Sequence, residues 1–384
     1  MSATEERGTR EAREAREAGE ARDARDARDA REKTEKRTGS GARPGAGKKR
    51  KRWKAAALIL ISMLVLLVGG GFAYESIASE RAKSDYPMPG KLVDAGGYRL
   101  HLNRVGDGPY TIVLEAGSGE TSLSWNDIPE RLSSIGTVVS YDRAGYAWSE
   151  KAPTERTGAN IVRELHHALQ QEGLQGPYIV VGHSLGGMYA RLFAQEYRDE
   201  VAGLVLVDAR PENNERDSMP IYEEEHFRDN KPSAGILSLM KRSGVLRLFQ
   251  DVLLEGMVEK EERGVFVNVV SKPSYFQAVE NEGELASTTE DAIRGQRLGD
   301  LPVKVIARNV APDYASYGMS DQGGEKLERI WRQGQREMLG ISNDSEFIVA
   351  EKSGHMVMDD EPDLVVDVIR GLVERLEEQP AGAR

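Results

Sequence analysis

The 384-residue sequence contains no cysteine, which excludes disulfide bonds, a thiolate nucleophile and every cysteine-based metal site. Histidine is also scarce: with six residues, any histidine-dependent chemistry has few candidates. Basic residues are outnumbered by acidic ones, and the net charge of -11 argues against a nucleic-acid partner. The sequence carries no metal signature, phosphate-binding P-loop or dinucleotide-binding glycine pattern in strand context, so we expect no cofactor and no metal.

Residues 1–48 form a charged segment of low complexity. A triplet of acidic residue, alanine and arginine repeats along the stretch EAREAREAGEARDARDARDAREK. Because this period of three differs from the 3.6 residues of a helical turn, the alanines do not line up as an apolar stripe. Acidic residues and arginines fall at i,i+3 or i,i+4, a spacing that supports a transient solvated helix. Because no core can be buried here, we expect a disordered tail that ends in the flexible GSGARPGAG. A partner-binding or membrane-surface arm is the functional alternative.

An uncharged, largely apolar run extends from Ala55 to Tyr74, directly after the basic cluster KKRKRWK. About 20 such residues make a bilayer-spanning helix. We therefore predict a basic flank and a single transmembrane helix over residues 49–76, and a linker over residues 77–90. Because basic residues precede the run and acidic ones follow it, the positive-inside rule predicts a cytoplasmic N-terminus and an extracytoplasmic remainder at the cell membrane. A cleaved signal peptide is the competing interpretation.

Residues 91–378 alternate between strand-like and helix-like segments. A hairpin is expected first, and further strands are expected at residues 110–114, 136–141, 177–181, 201–207, 301–307 and 345–350. This order predicts an α/β fold with a mainly parallel sheet and helices on both faces. Residues from about 210 to 300 are helix-rich without a clear strand, and we interpret them as a helical cap inserted between two strands. Residues 379–384 are expected to be a flexible C-terminus.

The clearest functional pattern is Gly182-His183-Ser184-Leu185-Gly186. An apolar, strand-like run precedes it and a helix-compatible run follows it. Strand, sharp turn and helix in that order are the context in which a Gly-x-Ser-x-Gly serine acts as a nucleophile. The glycines allow the backbone and the neighbouring helix to approach closely. We therefore predict that Ser184 is a nucleophile rather than part of an ordinary glycine-rich loop.

A serine hydroxyl needs a neighbouring base, and the base needs a carboxylate that orients it. His355 follows the strand at residues 345–350 and precedes the final helix, so it is expected at the same sheet edge as Ser184 and is the predicted base. His183 is adjacent to Ser184, but neighbouring side chains in the turn point apart, which favours a packing or hydrogen-bonding role. The other histidines lie in the early hairpin, on a surface-type helix and in the cap.

Two aspartates are candidates for the orienting acid. Asp208 ends the strand at residues 201–207, which follows the helix after Ser184, so its carboxylate can face the same sheet edge as Ser184. Asp313 follows the strand at residues 301–307 by a few positions. Either satisfies the chain order serine, acid, histidine. We favour Asp208, with Asp313 as the alternative acid and Glu212 as a remote third.

An oxyanion formed at the substrate carbonyl requires two preorganised backbone N–H donors. The N–H of Leu185, directly after the nucleophile, is one predicted donor. The other is expected from the loop after the strand at residues 110–114, where Ser118 follows Gly117. Glycines in that loop permit close approach of the backbone to a substrate carbonyl.

These motifs resemble those of the α/β-hydrolase fold superfamily over residues 91–378. The similar stretches are GHSLGG, YDRAGYAWS and SGHMVMDDEPDLVVDVI. There are departures from the family pattern. Ala116-Gly117 stands where the family has His-Gly, and Ala147 replaces a glycine. The usual Gly-x-x-Asp after the seventh strand is missing, with ARNVAPD in its place, and this departure favours Asp208.

The resemblance implies a serine hydrolase, and the apolar run makes it a membrane-anchored one. We expect a carboxylesterase or lipase-like enzyme that cleaves a small hydrophobic acyl substrate through an acyl-enzyme. Serine at position 184 argues against the family's epoxide hydrolases and haloalkane dehalogenases, which require aspartate there. Alternatives with the same three residues are a cofactor-free haloperoxidase-like or a peptidase activity. A non-catalytic receptor or scaffold is the alternative from another class.

Overall fold

The computed structural model describes residues 3–38, 46–228 and 231–378 of the chain. These residues fall into two compact units, Met1–Val68 and Gly69–Arg384. The predicted flexible stretch at residues 39–47 lies mostly outside the described residues, and the predicted flexible C-terminus at residues 379–384 lies entirely outside them.

Two long helices open the chain. Helix α1 is Ala3–Thr38 and helix α2 is Ala46–Asp85. In α1, ion pairs at i,i+4 such as Arg13–Glu17 and Arg16–Glu20 support the helix, and every side chain described there is exposed. The charged repeat is therefore helical in the structure, where a disordered tail was expected.

Helix α2 contains the apolar run. Its segment Trp53–Asp85 is the one stretch, among the described residues, long and apolar enough to cross a membrane. The helix was expected to end at residue 76. It continues instead to Asp85, shortly before the helix-breaking Pro87. Within this continuation Ala82 is buried and Ala78 and Ser79 are half-buried, so residues 77–85 are a helix that packs on one side and not a linker.

A single eight-stranded sheet lies at the centre of the second unit. The strands are β1 (Lys91–Asp94), β2 (Arg99–Val105), β3 (Thr111–Glu115), β4 (Thr137–Asp142), β5 (Tyr178–His183), β6 (Val201–Val207), β7 (Val303–Arg308) and β8 (Ser345–Ala350). Their spatial order is β1-β2-β4-β3-β5-β6-β7-β8. Strands β1 and β2 pair antiparallel, and β3 to β8 are parallel to one another. The predicted mainly parallel sheet is confirmed.

Helices cover both faces of this sheet. Along β5, Tyr178 and Val180 pack into one apolar cluster while Ile179 and Val181 pack into another on the opposite face. A strand buried on both faces reads as a continuous apolar run, as this one does. The sheet edge at the carboxyl ends of the parallel strands is therefore held rigidly from two sides.

The remaining helices are α3 (Ile128–Leu132), α4 (Gly158–Gln171), α5 (Leu185–Glu196), α6 (Asn214–Glu224), α7 (Ala234–Arg242), α8 (Val245–Leu248), α9 (Gln250–Leu253), α10 (Arg263–Val265), α11 (Pro273–Glu284), α12 (Ala286–Ile293), α13 (Asp321–Glu337), α14 (Val357–Asp360) and α15 (Pro362–Glu378). Short 3-10 turns lie at Ser122–Trp125, Arg198–Glu200, Tyr314–Tyr317 and Met338–Ile341, and a π-helical turn at Phe266–Val270. Helices α6 to α12 all lie between β6 and β7 in the chain. The described part of this insertion contains no strand, in agreement with the expected helical cap.

Candidate active site

The carboxyl end of β5 turns sharply into helix α5 at Ser184. Ser184 has φ of 49° and ψ of -122°, a backbone conformation that costs energy for a residue with a side chain. Neighbouring glycines make the turn possible: a Cβ at Gly182 would lie 2.6 Å from the carbonyl oxygen of Gly186. The serine hydroxyl is thus held at the end of the strand by a strained turn, as the Gly-x-Ser-x-Gly pattern predicts.

Three side chains form a hydrogen-bonded series at this point. The hydroxyl oxygen of Ser184 lies 3.0 Å from Nε2 of His355. The other ring nitrogen, Nδ1, lies 2.6 Å from Oδ2 of Asp208. We assign the proton of a neutral imidazole to Nδ1, because an ionised carboxylate can only accept. Nε2 is then free to accept the serine proton.

Asp208 is fully buried at the end of β6 and is surrounded by donors. Oδ1 accepts from Nε1 of Trp331 at 3.0 Å and from the backbone N–H of Arg308 at 3.3 Å. Oδ2 also accepts from the Arg308 guanidinium at 2.7 Å. Burial would raise the pKa of Asp208, but the hydrogen bond from His355 and the Arg308 charge outweigh it and lower the pKa to about 2. The carboxylate therefore stays ionised at neutral pH.

The imidazole of His355 has surroundings that keep it neutral. Burial of the ring among protein atoms lowers its pKa below the usual 6.5, although Asp208 opposes this effect and 36% of the side chain stays exposed. The charge of nearby His183 lowers the pKa further. Trp331 packs edge-on to the ring with centroids 5.6 Å apart. A neutral imidazole with one open edge can accept a proton from the serine.

The other proposed acids lie outside this series. Asp313 is exposed, and its carboxylate accepts a hydrogen bond from the backbone of Ser316 within the turn that it begins. Glu212 forms an ion pair with the buried Arg191 and accepts from the backbone of Gly295. Of the three candidates, the structure brings only Asp208 within hydrogen-bonding distance of His355.

The loop after β3 is tied to the histidines by Glu120. Its carboxylate accepts from the backbone N–H of Gly117 at 2.8 Å and is 2.9 Å from Nδ1 of His183. Nε2 of His183 lies 2.9 Å from the backbone oxygen of His355. Burial alone would lower the pKa of His183, but the charge of Glu120 outweighs it and raises that pKa. His183 therefore links the loop to the backbone of the candidate base, a specific form of the hydrogen-bonding role expected from its sequence position.

The two predicted oxyanion donors come from segments that touch each other. Any Cβ at Gly186 would clash with the carbonyl oxygens of Glu115 and Ala116, so the start of α5 lies directly against the end of β3. Leu185 is buried there, whereas Ser118 is exposed in the adjoining loop. The N–H of Gly117 already donates to Glu120, which leaves the N–H of Ser118 as the candidate donor of this loop.

Arg143, in the loop after β4, fixes the same region to the cap. Its guanidinium donates to the backbone oxygens of Ala116 and Gly117 and to Glu115. It also donates to both carboxylate oxygens of Glu282 on helix α11 at 3.1 Å. Burial raises the pKa of Glu115 to about 7, with the Arg143 charge opposing this rise. The arginine thus connects the candidate oxyanion loop with the cap.

Several of these supporting residues could not be found from the sequence. Arg308 and Trp331 contact Asp208 across 100 and 123 positions, and neither lies in a recognisable pattern. Glu120 carries no signal beyond its position in a glycine-containing loop. Arg143 does have one, since it belongs to the YDRAGYAWS stretch. Among the described residues there is no group of three or more histidine and acidic side chains that could hold a metal ion.

Comparison with known proteins identifies similar chains. The model of the alpha/beta hydrolase family matches residues 112–368. A protein from Gibberella zeae described as an AB hydrolase superfamily protein is 28% identical over 284 residues, which cover 68% of this chain and 85% of that protein.

Two solved structures are similar in fold. The epoxide hydrolase CorEH has a TM-score of 0.54 at 20% identity, covering 74% of this chain and 98% of its own. A thermophilic esterase from Thermogutta terrifontis has a TM-score of 0.52 at 18% identity, with the same two coverages. At such identities the likeness extends to the fold alone, and the chemistry must come from the residues of the site.

Proposed function

This chain belongs to the alpha/beta hydrolase family, and on that premise we propose that it is a serine hydrolase that cleaves esters. Ser184 is the proposed nucleophile, His355 the general base and acid, and Asp208 the residue that orients the imidazole. The observation that carries the proposal is the hydrogen-bonded series of 3.0 Å from Ser184 to His355 and 2.6 Å from His355 to Asp208.

The proposed reaction uses each contact of this series. Ser184 attacks the acyl carbonyl while Nε2 of His355 takes the hydroxyl proton, and Asp208 stabilises the imidazolium that forms. The backbone N–H groups of Leu185 and Ser118 stabilise the negative charge on the carbonyl oxygen. His355 returns the proton to the alcohol as it leaves. A water molecule, activated by the same histidine, then hydrolyses the acyl-enzyme and restores Ser184.

The residue at position 184 separates this proposal from the other activity named among the fold neighbours. One solved neighbour is an epoxide hydrolase and another is an esterase. The family's epoxide hydrolases use an aspartate as nucleophile, whereas this chain carries serine at the strained turn. Serine next to a histidine base is the arrangement for acyl transfer.

Ester hydrolysis by the purified full chain in detergent tests the proposal. We expect turnover of p-nitrophenyl esters, with the highest kcat/KM identifying the preferred acyl length. The variant Ser184→Ala should lose activity by about 10⁶-fold, to the level set by the remaining site. Gly340→Ala, at an open position with no atom within 4 Å of the added Cβ, is the matched control and should keep full activity. No turnover of any ester by the folded protein would reject the proposal.

We also propose that α2 anchors the enzyme in the cell membrane, with the N-terminus in the cytoplasm and the catalytic unit outside. The apolar composition of Trp53–Asp85 and the basic residues before it support this topology. Because the chain has no cysteine, single cysteines can report the topology. An impermeant maleimide added to intact cells should label Gln175→Cys in the catalytic unit and leave Arg31→Cys in α1 unlabelled. The reverse pattern would contradict the topology, and release of the protein into the medium would contradict the anchor.

A further inference from the structure

The cap exposes a row of apolar side chains on helices α8 and α9. Val252 is 72% exposed, Leu248 60%, Phe249 56% and Val245 36%. Val245 and Leu248 lie in α8, Val252 lies in α9, and Phe249 is the residue that joins these two short helices. We call Val245, Leu248, Phe249 and Val252 the cap stripe.

The cap stripe is not part of the core of the cap. On the other side of the same stretch, Leu246 and Leu254 are buried and belong to the apolar cluster of the cap. This stretch therefore carries apolar side chains on two sides, one buried in the cap and one exposed. A contiguous exposed apolar surface of this kind marks a contact with another protein or with a membrane.

The last residues of the apolar run pack against the beginning of this stretch. Gly69 and the residues after it belong to the same compact unit as the cap. Any Cβ at Gly71 would clash with the carbonyl oxygen of Ser243, so the backbones of α2 and the cap are in direct contact. A Cβ at Gly244 would lie 3.2 Å from the carbonyl oxygen of Gly71 and 3.4 Å from the ring of Tyr74.

A buried ion cluster fixes this contact. The Glu75 carboxylate accepts from Nζ of Lys241 at 2.5 Å and from Nε of Arg247 at 2.7 Å. Glu75 and Lys241 are both buried. Removal of one partner from a buried ion pair is strongly destabilising, so the cluster holds the end of α2 in one position on the cap. Arg247 also lies within the stretch that carries the cap stripe.

Taken together, these contacts place the cap stripe where the apolar run ends. The run extends to Tyr74, Tyr74 lies beside Gly244, and the cap stripe begins at Val245. We propose that the cap stripe inserts into the outer leaflet of the membrane that α2 anchors, so that the cap takes its acyl substrate from the bilayer. This inference rests on the proposed ester hydrolase for the nature of the substrate and on the proposed anchor for the membrane.

The cap also contacts the loop of the candidate active site that carries Ser118, so the cap lies between the cap stripe and that site. On α11, the Tyr275 hydroxyl donates to the carbonyl oxygen of Gly119 at 2.9 Å, in the loop that carries Ser118. Helices α7 and α11 pack together through the apolar cluster of the cap. Acidic residues such as Asp251 and Glu255 flank the cap stripe, so the binding is expected to be apolar and independent of anionic lipid.

Quenching by lipid tests the insertion directly. The full chain carrying Val252→Cys, labelled with an environment-sensitive dye, is reconstituted in phosphatidylcholine vesicles with or without brominated acyl chains. We expect loss of about half of the emission in the brominated vesicles, because an interfacial apolar face lies at the boundary of the acyl region. Gln175→Cys, at the sheet edge opposite the cap, is the control and should not be quenched. Leu64→Cys, within the apolar run, reports the anchor itself.

The outcomes separate the two proposals. Quenching at residues 64 and 252 supports the insertion. Quenching at residue 64 alone overturns the insertion and leaves the anchor intact, and no quenching at either residue overturns both. A dye at residue 252 that shifts to the blue without quenching, together with cross-linked dimers, would show that a second copy of the chain covers the cap stripe and would overturn the insertion.

A kinetic test addresses substrate uptake. The double variant Leu248→Asp/Val252→Asp should lower the rate on a long-chain ester dissolved in the vesicles by about tenfold, because two apolar side chains lose their contact with lipid. Its rate on the water-soluble p-nitrophenyl acetate should not change. Equal loss on both substrates, or no loss on either, would overturn the uptake of substrate from the bilayer. Because the quenching test requires no turnover, failure of the hydrolase proposal would leave it interpretable.

Discussion

Replacement of Asp208 by asparagine keeps the size of the side chain and removes one acceptor. In the native arrangement Oδ1 accepts from Trp331 and from the backbone of Arg308, while Oδ2 accepts from the Arg308 guanidinium and from His355. If the NH2 group of the asparagine took the place of Oδ1, it would face two other donors, the Trp331 ring N–H and the Arg308 backbone N–H. If it took the place of Oδ2, it would face one other donor, the Arg308 guanidinium, because His355 can change its tautomer and accept at Nδ1. We therefore expect the amide to face His355.

This orientation determines the size of the effect. The amide donates to Nδ1 of His355, which moves the ring proton to Nε2, so the ring can no longer accept the proton of Ser184. Loss of the correct tautomer in a serine, histidine and aspartate arrangement lowers kcat by about 10⁴-fold. The pKa of Asp208, about 2 compared with its ordinary 3.8, also corresponds to about 2 kcal/mol of interaction that favours the charged carboxylate.

That stabilisation has a defined pH range. Because the pKa of Asp208 is lower in the folded protein than in the unfolded chain, its contribution is fully present above pH 3.8 and is lost as the pH falls towards about 2. At neutral pH, Asp208→Asn should thus lower the free energy of unfolding by about 2 kcal/mol. The variant should still be folded at 25 °C, which circular dichroism will check.

Initial rates on p-nitrophenyl acetate, measured with the full chain in detergent, give the catalytic effect. Asp313→Asn is the matched control, since Asp313 is exposed and capped within its own turn. Its kcat should stay within about twofold of the parent value. A folded Asp208→Asn variant that keeps kcat within about tenfold of the parent, or a large loss in Asp313→Asn instead, would contradict the role of Asp208.

Three further predictions concern the surroundings of the site. Glu120→Gln removes the charge beside His183 and should lower kcat by about tenfold or more through misplacement of His355, whereas an unchanged kcat would contradict the link. Because the pKa of His355 is lowered and the base must be neutral, kcat/KM should rise with pH through a midpoint below 6.5; a midpoint above 6.5 would contradict this. Glu282→Ala leaves the buried Arg143 with one carboxylate partner fewer and should lower the free energy of unfolding by about 3 kcal/mol, measured by chemical denaturation. An unchanged denaturation midpoint would show that this ion pair does not hold the cap in place.

Much of the sheet could be predicted from the sequence because its signals are local. Strands buried on both faces are continuous apolar runs, and β5 and β6 begin and end within a few residues of the expected bounds. The strained turn at Ser184 is signalled by the glycines that it requires. Asp208 and His355 follow from the rule that the carboxyl ends of parallel strands meet at one edge of a sheet.

The supporting contacts could not be predicted because they join residues distant in the chain. Trp331 reaches Asp208 from α13, and Arg308 reaches it from the end of β7, the strand that pairs with β6. The continuation of α2 to Asp85 was expected to be a linker. The partners of Glu75 lie more than 160 positions away, in the cap. Ion pairs of this kind leave no periodic signal in either segment.

The charged repeat illustrates the opposite case. Its composition excludes a packed core and therefore led to the expectation of a disordered tail. The structure forms α1 there, and ion pairs at i,i+4 along exposed side chains are the local interactions that support it. The same spacing was visible in the sequence, but the relative weights of solvation and local pairing could not be judged from composition.

The most direct test of the nucleophile is covalent labelling of the full chain with a fluorophosphonate, followed by mass spectrometry. The probe reacts with a serine that a neighbouring base activates, so it reports the arrangement of Ser184, His355 and Asp208 independently of any particular substrate. We expect one adduct per chain, located on the peptide that contains Ser184, and none in Ser184→Ala. Absence of labelling in the folded parent protein, or an adduct on another serine that persists in Ser184→Ala, would contradict the assignment of Ser184 as the nucleophile.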